Sequence, residues 1–176
     1  MLWPDLQAAS LAEVPIPELL ARGVRGVIVD VDNTLARYRG ETPEPAAESW
    51  IHRAREQGLA VYLVSNAMPA RVAMMAKGLG VEGSGLSGKP FRGGFQRALR
   101  ALGLPPREVA VIGDQLFTDV LGGNWLGATT VLVTPIESDE ALHTRIVRRV
   151  EKVVLARRPA RRDEKRRRAT RTRGGA

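Results

Sequence analysis

Gly26-Val-Ile-Val-Asp30-Val-Asp32-Asn-Thr34-Leu35 is the stretch on which the reading of this chain turns. Three β-branched residues, Val27 to Val29, run without polar alternation into two aspartates one residue apart. An apolar run without alternation belongs to a strand buried on both faces, the condition of a parallel sheet with helices on either side. Three more runs have the same character: Ala60-Val-Tyr-Leu-Val64, Val109-Ala-Val-Ile112 and Thr130-Val-Leu-Val133.

The segments between these runs carry helical spacing. Ala47, Trp50, Ile51 and Ala54 make one stripe, with Pro43 and Pro45 as its start signal. Phe91, Phe95, Ala98, Leu99 and Leu102 make another, ended by Gly103 and Pro105-Pro106. A short helix follows Pro69 and stops at Gly78, and a further one runs from about Gln115 to Trp125 before Gly127. Alternating strands and helices predict an α/β, Rossmann-like, doubly wound parallel sheet in a single domain. A closing helix is expected over 138–156, with Leu142, Ile146, Val150 and Val153 inward. The expected boundaries are a domain over 1–156, including a lead-in at 1–22, and a basic disordered tail over 157–176.

Composition removes several classes of function. The chain has 176 residues, 44% of them apolar, which suffices for one core. It has no cysteine and two histidines, so thiol chemistry, cysteine zinc sites and histidine-rich metal sites are excluded. No apolar run is long enough to span a bilayer, and Pro4 and Asp5 stand where a signal peptide needs basic residues. A cytoplasmic protein is expected, with peripheral membrane association left open. The net charge of +8 is unevenly placed: residues 143–176 carry +11 and residues 1–142 carry −3. Attraction to polyanions therefore belongs to the tail.

Ligands of open α/β sheets bind beyond the carboxyl ends of the strands. The polar residues gather there: Asp30, Asp32 and Thr34 after the first run, Ser65 and Asn66 after the second, Gly113-Asp114 after the third. Lys89-Pro90 follows a glycine-rich approach from Gly83 to Gly88. Singly, these are ordinary turn and cap residues or a solvated lysine. In order, each at a strand terminus, they describe a common rim.

That order resembles the haloacid dehalogenase-like phosphatases. Asp30-Val-Asp32-Asn-Thr34-Leu35, Ser65, Lys89 and Gly113-Asp114-x-x-x-x-Asp119 resemble the four motifs of that superfamily, over roughly residues 20–135. The longer string from Gly113 to Asn124, with Leu11 to Pro17, resembles the subfamily IIIA branch of the YqeG family, related to phosphatidylglycerophosphatases. Ala67 and Trp125 depart from that branch, which carries Asn and Arg there.

The resemblance implies a phosphatase using Mg2+, with Asp30 as nucleophile through an aspartyl-phosphate and Asp32 as acid and base. It implies metal binding by Asp30, Asp114 and the backbone carbonyl of Asp32, an oxygen set suited to magnesium. Ser65, Asn66, Lys89 and Thr34 would hold the phosphoryl group, and Asp119 would orient Lys89 or a metal-bound water. Cap domains of this superfamily are inserted between the first and third motifs, and here 35 residues separate Asp30 from Ser65 and 24 separate Ser65 from Lys89. A capless, open site is expected, which suits phosphate on a large body such as a membrane lipid, with phosphatidylglycerophosphate favoured. Two other readings compete: a sugar or nucleotide phosphatase, and a scaffold of the same fold whose basic tail binds RNA or a ribosomal surface. The same tail suits an anionic membrane.

Overall fold

The computed structural model describes residues 2–89 and 92–137. The expected helix over 138–156 and the basic tail lie outside the described residues, as does Phe91.

Six parallel strands form one sheet in the order β1-β6-β5-β2-β3-β4. They are β1 (Leu6–Ala8), β2 (Gly26–Val29), β3 (Ala60–Val64), β4 (Glu82–Ser84), β5 (Val109–Gly113) and β6 (Thr129–Val133). The four central strands are those expected from their apolar runs, and every residue of β2 and β5 is buried. The two edge strands are additional. Each has three residues, one of them glycine-bearing (Glu82-Gly-Ser84), too short and too polar for a periodic signal.

Among the described residues the α-helices are α1 (Ile16–Ala21), α2 (Pro45–Glu56), α3 (Pro69–Leu79), α4 (Arg92–Leu102) and α5 (Leu121–Leu126). Strand side chains alternate between two cores. Val27, Val29, Leu63 and Ile112 pack with Trp50 and Ile51 of α2 and with Val72 and Leu79 of α3. Ile28, Tyr62, Val64 and Val111 pack with Phe95 and Ala98 of α4. Trp50 is fully buried, and its indole N–H donates to the Val14 carbonyl at 2.8 Å, which fixes the lead-in on α2.

Two helix boundaries differ from expectation. Helix α3 passes Gly78 and ends at Gly80, which takes a left-handed conformation (φ 63°) as its C-cap. The segment after β5 opens with a π-helical turn, Leu116–Val120, before becoming α5. No periodicity in the sequence marks that insertion, and such turns concentrate at functional sites.

The chain moves from β2 outward to β3 and β4, then returns to β5 on the other side of β2. The crevice between β2 and β5 is thus the switch point of the sheet, where ligands of this architecture bind. Val29 pairs with Ile112, which brings Asp30 beside Gly113 and Asp114. No described helix is long and apolar enough to cross a membrane.

Candidate active site

The residues just past β2 form a tight turn. Leu35 and Ala36 N–H both donate to the Val31 carbonyl, Asn33 N–H donates to Ala36, and Asn33 sits in the left-handed region at φ 61°. Asparagine tolerates that conformation better than most side chains. The turn buries Asp30, Asn33 and Thr34. The Thr34 hydroxyl is buried without a hydrogen-bond partner among the described residues.

Lys89 reaches this turn from the loop after β4. Its ammonium donates to Asp30 Oδ1 at 2.5 Å and to Asp119 Oδ1 at 2.7 Å, with side-chain exposures of 4%, 5% and 1%. The loop is held by Ser87, whose hydroxyl donates to the Ser65 carbonyl at 2.7 Å. Gly94 lets α4 sit against Ser87: a Cβ there would lie 2.5 Å from the Ser87 Cβ. Sequence reasoning did not single out Ser87 or Gly94; only the glycine content around them was a signal.

Asp119 is aimed by the π-helical turn and by Gly113, where a Cβ would collide with the Asp119 carboxylate. Its Oδ2 accepts from Gln115 N–H at 3.2 Å. Both oxygens are thus engaged, one by Lys89 and one by backbone. Asp30, Asp114 and Asp119, all buried, each present an oxygen within 4.8 Å of the others. Lys89 bonds two of these three carboxylates, Asp30 and Asp119. An all-oxygen donor set of carboxylates fits a hard divalent cation. Burial pushes Asp30 up to about 7 from its ordinary 3.8; the Lys89 ammonium opposes the rise and the Asp119 carboxylate adds to it. Burial by itself would lower Lys89, but Asp119 and Asp30 outweigh it and hold the ammonium above the ordinary lysine range.

Asp32 makes a separate set of bonds. Its Oδ2 accepts from the Ser65 hydroxyl at 3.2 Å, and its Oδ1 from Arg39 N–H at 3.0 Å and Arg71 Nη1 at 2.8 Å. Ser65 is fully buried, and its Oγ also accepts from Ala67 N–H at 2.9 Å. Position 67 therefore serves here through its backbone. The Asn66 side chain, expected at the phosphoryl group, instead grips the Lys89 backbone: Lys89 N–H donates to Asn66 Oδ1 at 3.0 Å. The Asn66 amide also lies 3.5 Å from the Lys89 carbonyl. Asn124 ties α5 to the lead-in by donating to the Trp3 carbonyl at 3.0 Å. Arg71 was not expected at the site, because a lone arginine in a helical first turn carries no motif.

The structure thus gathers Asp30, Asp32, Thr34, Ser65, Asn66, Lys89, Asp114 and Asp119 about one rim. The interval from Asp30 to Ser65 holds only α2 outside the strands, and that from Ser65 to Lys89 only α3 and β4. Neither holds an inserted domain.

Known proteins place this arrangement. Residues 86–155 match the HAD-hydrolase-like family. Over 153 residues the chain is 37% identical to the "Probable phosphatase YqeG" of Bacillus subtilis, covering 87% of this chain and 89% of that protein. It is 28% identical over 164 residues to the chloroplastic phosphatidylglycerophosphate phosphatase 1 of Chlamydomonas reinhardtii, covering 88% of this chain and 61% of that one. Its fold is shared with the cobalt-bound deoxy-D-mannose-octulosonate 8-phosphate phosphatase of Haemophilus influenzae, at TM-score 0.52 and 15% identity over 72% of this chain and 75% of that one. With the four motif positions on one rim and a relative of this identity along nearly the whole chain, the protein belongs to the haloacid dehalogenase-like phosphatases, in the YqeG family.

Proposed function

We infer that this phosphatase hydrolyses a phosphate monoester with Mg2+ through an aspartyl-phosphate on Asp30, and that its substrate is a lipid phosphate. The observation that carries the reading is the buried group of Asp30, Asp114 and Asp119, two of which, Asp30 and Asp119, bond the Lys89 ammonium. Asp30 and Asp114, with the Asp32 backbone carbonyl, would hold the cation. Bound there, it supplies positive charge that lets a carboxylate approach a dianionic phosphoryl group.

Asp30 attacks phosphorus, and the bond to the leaving oxygen breaks. Asp32 gives a proton to that oxygen, then takes one from the water that cleaves the aspartyl-phosphate. Lys89 exchanges its bond to Asp30 for the phosphoryl oxygens, joined by the hydroxyls of Ser65 and Thr34. Asp119 holds Lys89 in place through both states, and Asn66 fixes the Lys89 backbone. The decisive experiment is phosphate release by the purified chain with and without Mg2+, with Asp30→Asn alongside. Metal-independent turnover, or substantial turnover by Asp30→Asn, would falsify the mechanism.

Support for a lipid comes from the rim. Tyr38, Met68 and Leu86 are large apolar side chains exposed by 47%, 66% and 60%. Each lies on a loop past the carboxyl end of a different strand, β2, β3 and β4. Single exposed apolar residues are ordinary, but three around the mouth of an open site suit an acyl-chain boundary. The name of the Chlamydomonas relative points the same way. The basic stretch over 157–176 would add attraction to an anionic surface, outside a domain over 1–156. Assay of phosphatidylglycerophosphate in mixed micelles against glucose 6-phosphate tests the substrate class. A higher kcat/KM for the sugar would overturn the lipid reading.

A further inference from the structure

Arg71 stands in the first turn of α3 and bridges two parts of the rim. Its Nε donates to the Gly40 carbonyl at 2.8 Å, and its Nη1 donates to Asp32 Oδ1 at 2.8 Å. Its Nη2 is buried and has no hydrogen-bond partner among the described residues. A buried guanidinium donor without an acceptor is costly and calls for an explanation.

Two cations of the rim, Lys89 and Arg71, serve different groups. Lys89 lies on Asp30 and Asp119, where the phosphoryl group is transferred. Arg71 lies on Asp32, at the place assigned to the leaving group. Asp32 already accepts from Ser65 and from Arg39 N–H, so its oxygens are oriented without Arg71. A guanidinium holds oxyanions through paired, coplanar N–H groups. With Nη1 on Asp32, Nη2 remains to meet an oxyanion arriving beside the leaving oxygen.

We propose that Arg71 recognises a second oxyanion carried by the leaving group, within a few bonds of the ester oxygen. The site then selects phosphate monoesters whose alcohol is itself anionic, whether through a phosphodiester or a carboxylate. The proposal rests on Asp32 being the proton donor to the leaving oxygen, as inferred above. It also gives the 37–40 loop a part: the Arg71–Gly40 bond sets the loop against the residue that reads the substrate.

Matched substrates test this on the full chain with Mg2+. Glycerol 3-phosphate has a neutral leaving alcohol, 3-phosphoglycerate adds a carboxylate, and glycerophosphoglycerol phosphate adds a phosphodiester. The wild type is expected to prefer an anionic member by about tenfold or more in kcat/KM. Arg71→Gln and Arg71→Ala should bring that ratio near one, chiefly through KM, and Arg71→Lys should retain part of it as a point charge without the fork. The two anionic arms identify which oxyanion is read. No preference in the wild type, or an equal loss on all three substrates in every variant, overturns the proposal. Asp32→Asn separates it from the underlying reading. If that variant cleaves p-nitrophenyl phosphate, whose leaving group needs no proton, but not the alkyl esters, Asp32 keeps its place whatever Arg71 does.

Discussion

The Lys89 ammonium donates to Asp30 Oδ1 at 2.5 Å, and both side chains are buried. The carboxylate proposed as nucleophile is thus paired with the cation proposed for the phosphoryl oxygens. Substrate binding must exchange one partner of Lys89 while Asp119 keeps the other.

Asp30→Asn keeps the side-chain shape and removes the proposed nucleophile. Steady-state phosphate release should fall by about three orders of magnitude or more, because no other step can replace the covalent one. The fold should persist, since a neutral side chain suits a buried site. Thermal unfolding measured beside the assay checks both halves.

Proton linkage at Asp30 gives a pH signature. Its folded value of about 7 lies above the ordinary 3.8, so between these values the native state holds a proton that the unfolded chain gives up. The contribution of this group to stability is present below about pH 4 and is lost as pH rises toward 7. A divalent cation competes with that proton, so Mg2+ should raise Tm more at pH 8 than at pH 5. Asp30→Asn should flatten the difference. An equal metal effect at both pH values would count against Asp30 as a ligand.

Lys89→Ala removes the ammonium that pairs with the buried carboxylates of Asp30 and Asp119. Breaking a buried ion pair in this way costs about 3–5 kcal/mol. Added Mg2+ should recover part of the lost stability without restoring turnover, because the phosphoryl group has lost its ammonium. Denaturant unfolding with and without metal reads the first effect, and single-turnover kinetics the second.

Gly113→Ala introduces a Cβ where the Asp119 carboxylate stands. Overpacking of this kind costs about 1–3 kcal/mol. Asp119 must shift away from Lys89, so kcat should fall with KM less affected. A normal kcat in a folded variant would remove Asp119 from the positioning of Lys89.

Ten Lys and Arg residues lie between Arg157 and Arg173, against Asp163 and Glu164. Each that reaches an anionic surface is worth about 1 kcal/mol. Truncation after Ala156 should leave metal-dependent turnover of a soluble ester intact and weaken co-sedimentation with anionic vesicles, most at low salt. Equal vesicle binding by both forms would take the tail out of the functional account.

The central sheet was legible because burial on both faces imprints itself on four or five consecutive residues, as in Gly26 to Val29 and Val109 to Gly113. The edge strands were not, since three-residue segments carry no period. Asp30, Asp32, Ser65 and Asp114 could be named from their places at strand ends, where a parallel sheet must present them, and Lys89 from its motif and the glycine-rich approach before it. What each touches could not be named. Lys89 meets Asp30 across 59 residues and Arg71 meets Asp32 across 39, through crossovers whose geometry is set by packing against the two cores. The π-helical turn that aims Asp119, the capture of the Asn66 side chain by the Lys89 backbone, and the unpartnered Arg71 nitrogen all belong to that second level. Strand identity is a matter of local solvation, repeated residue by residue along the chain. Charge pairing depends on distances between segments that only the closed sheet brings together, so it was decided by the tertiary structure.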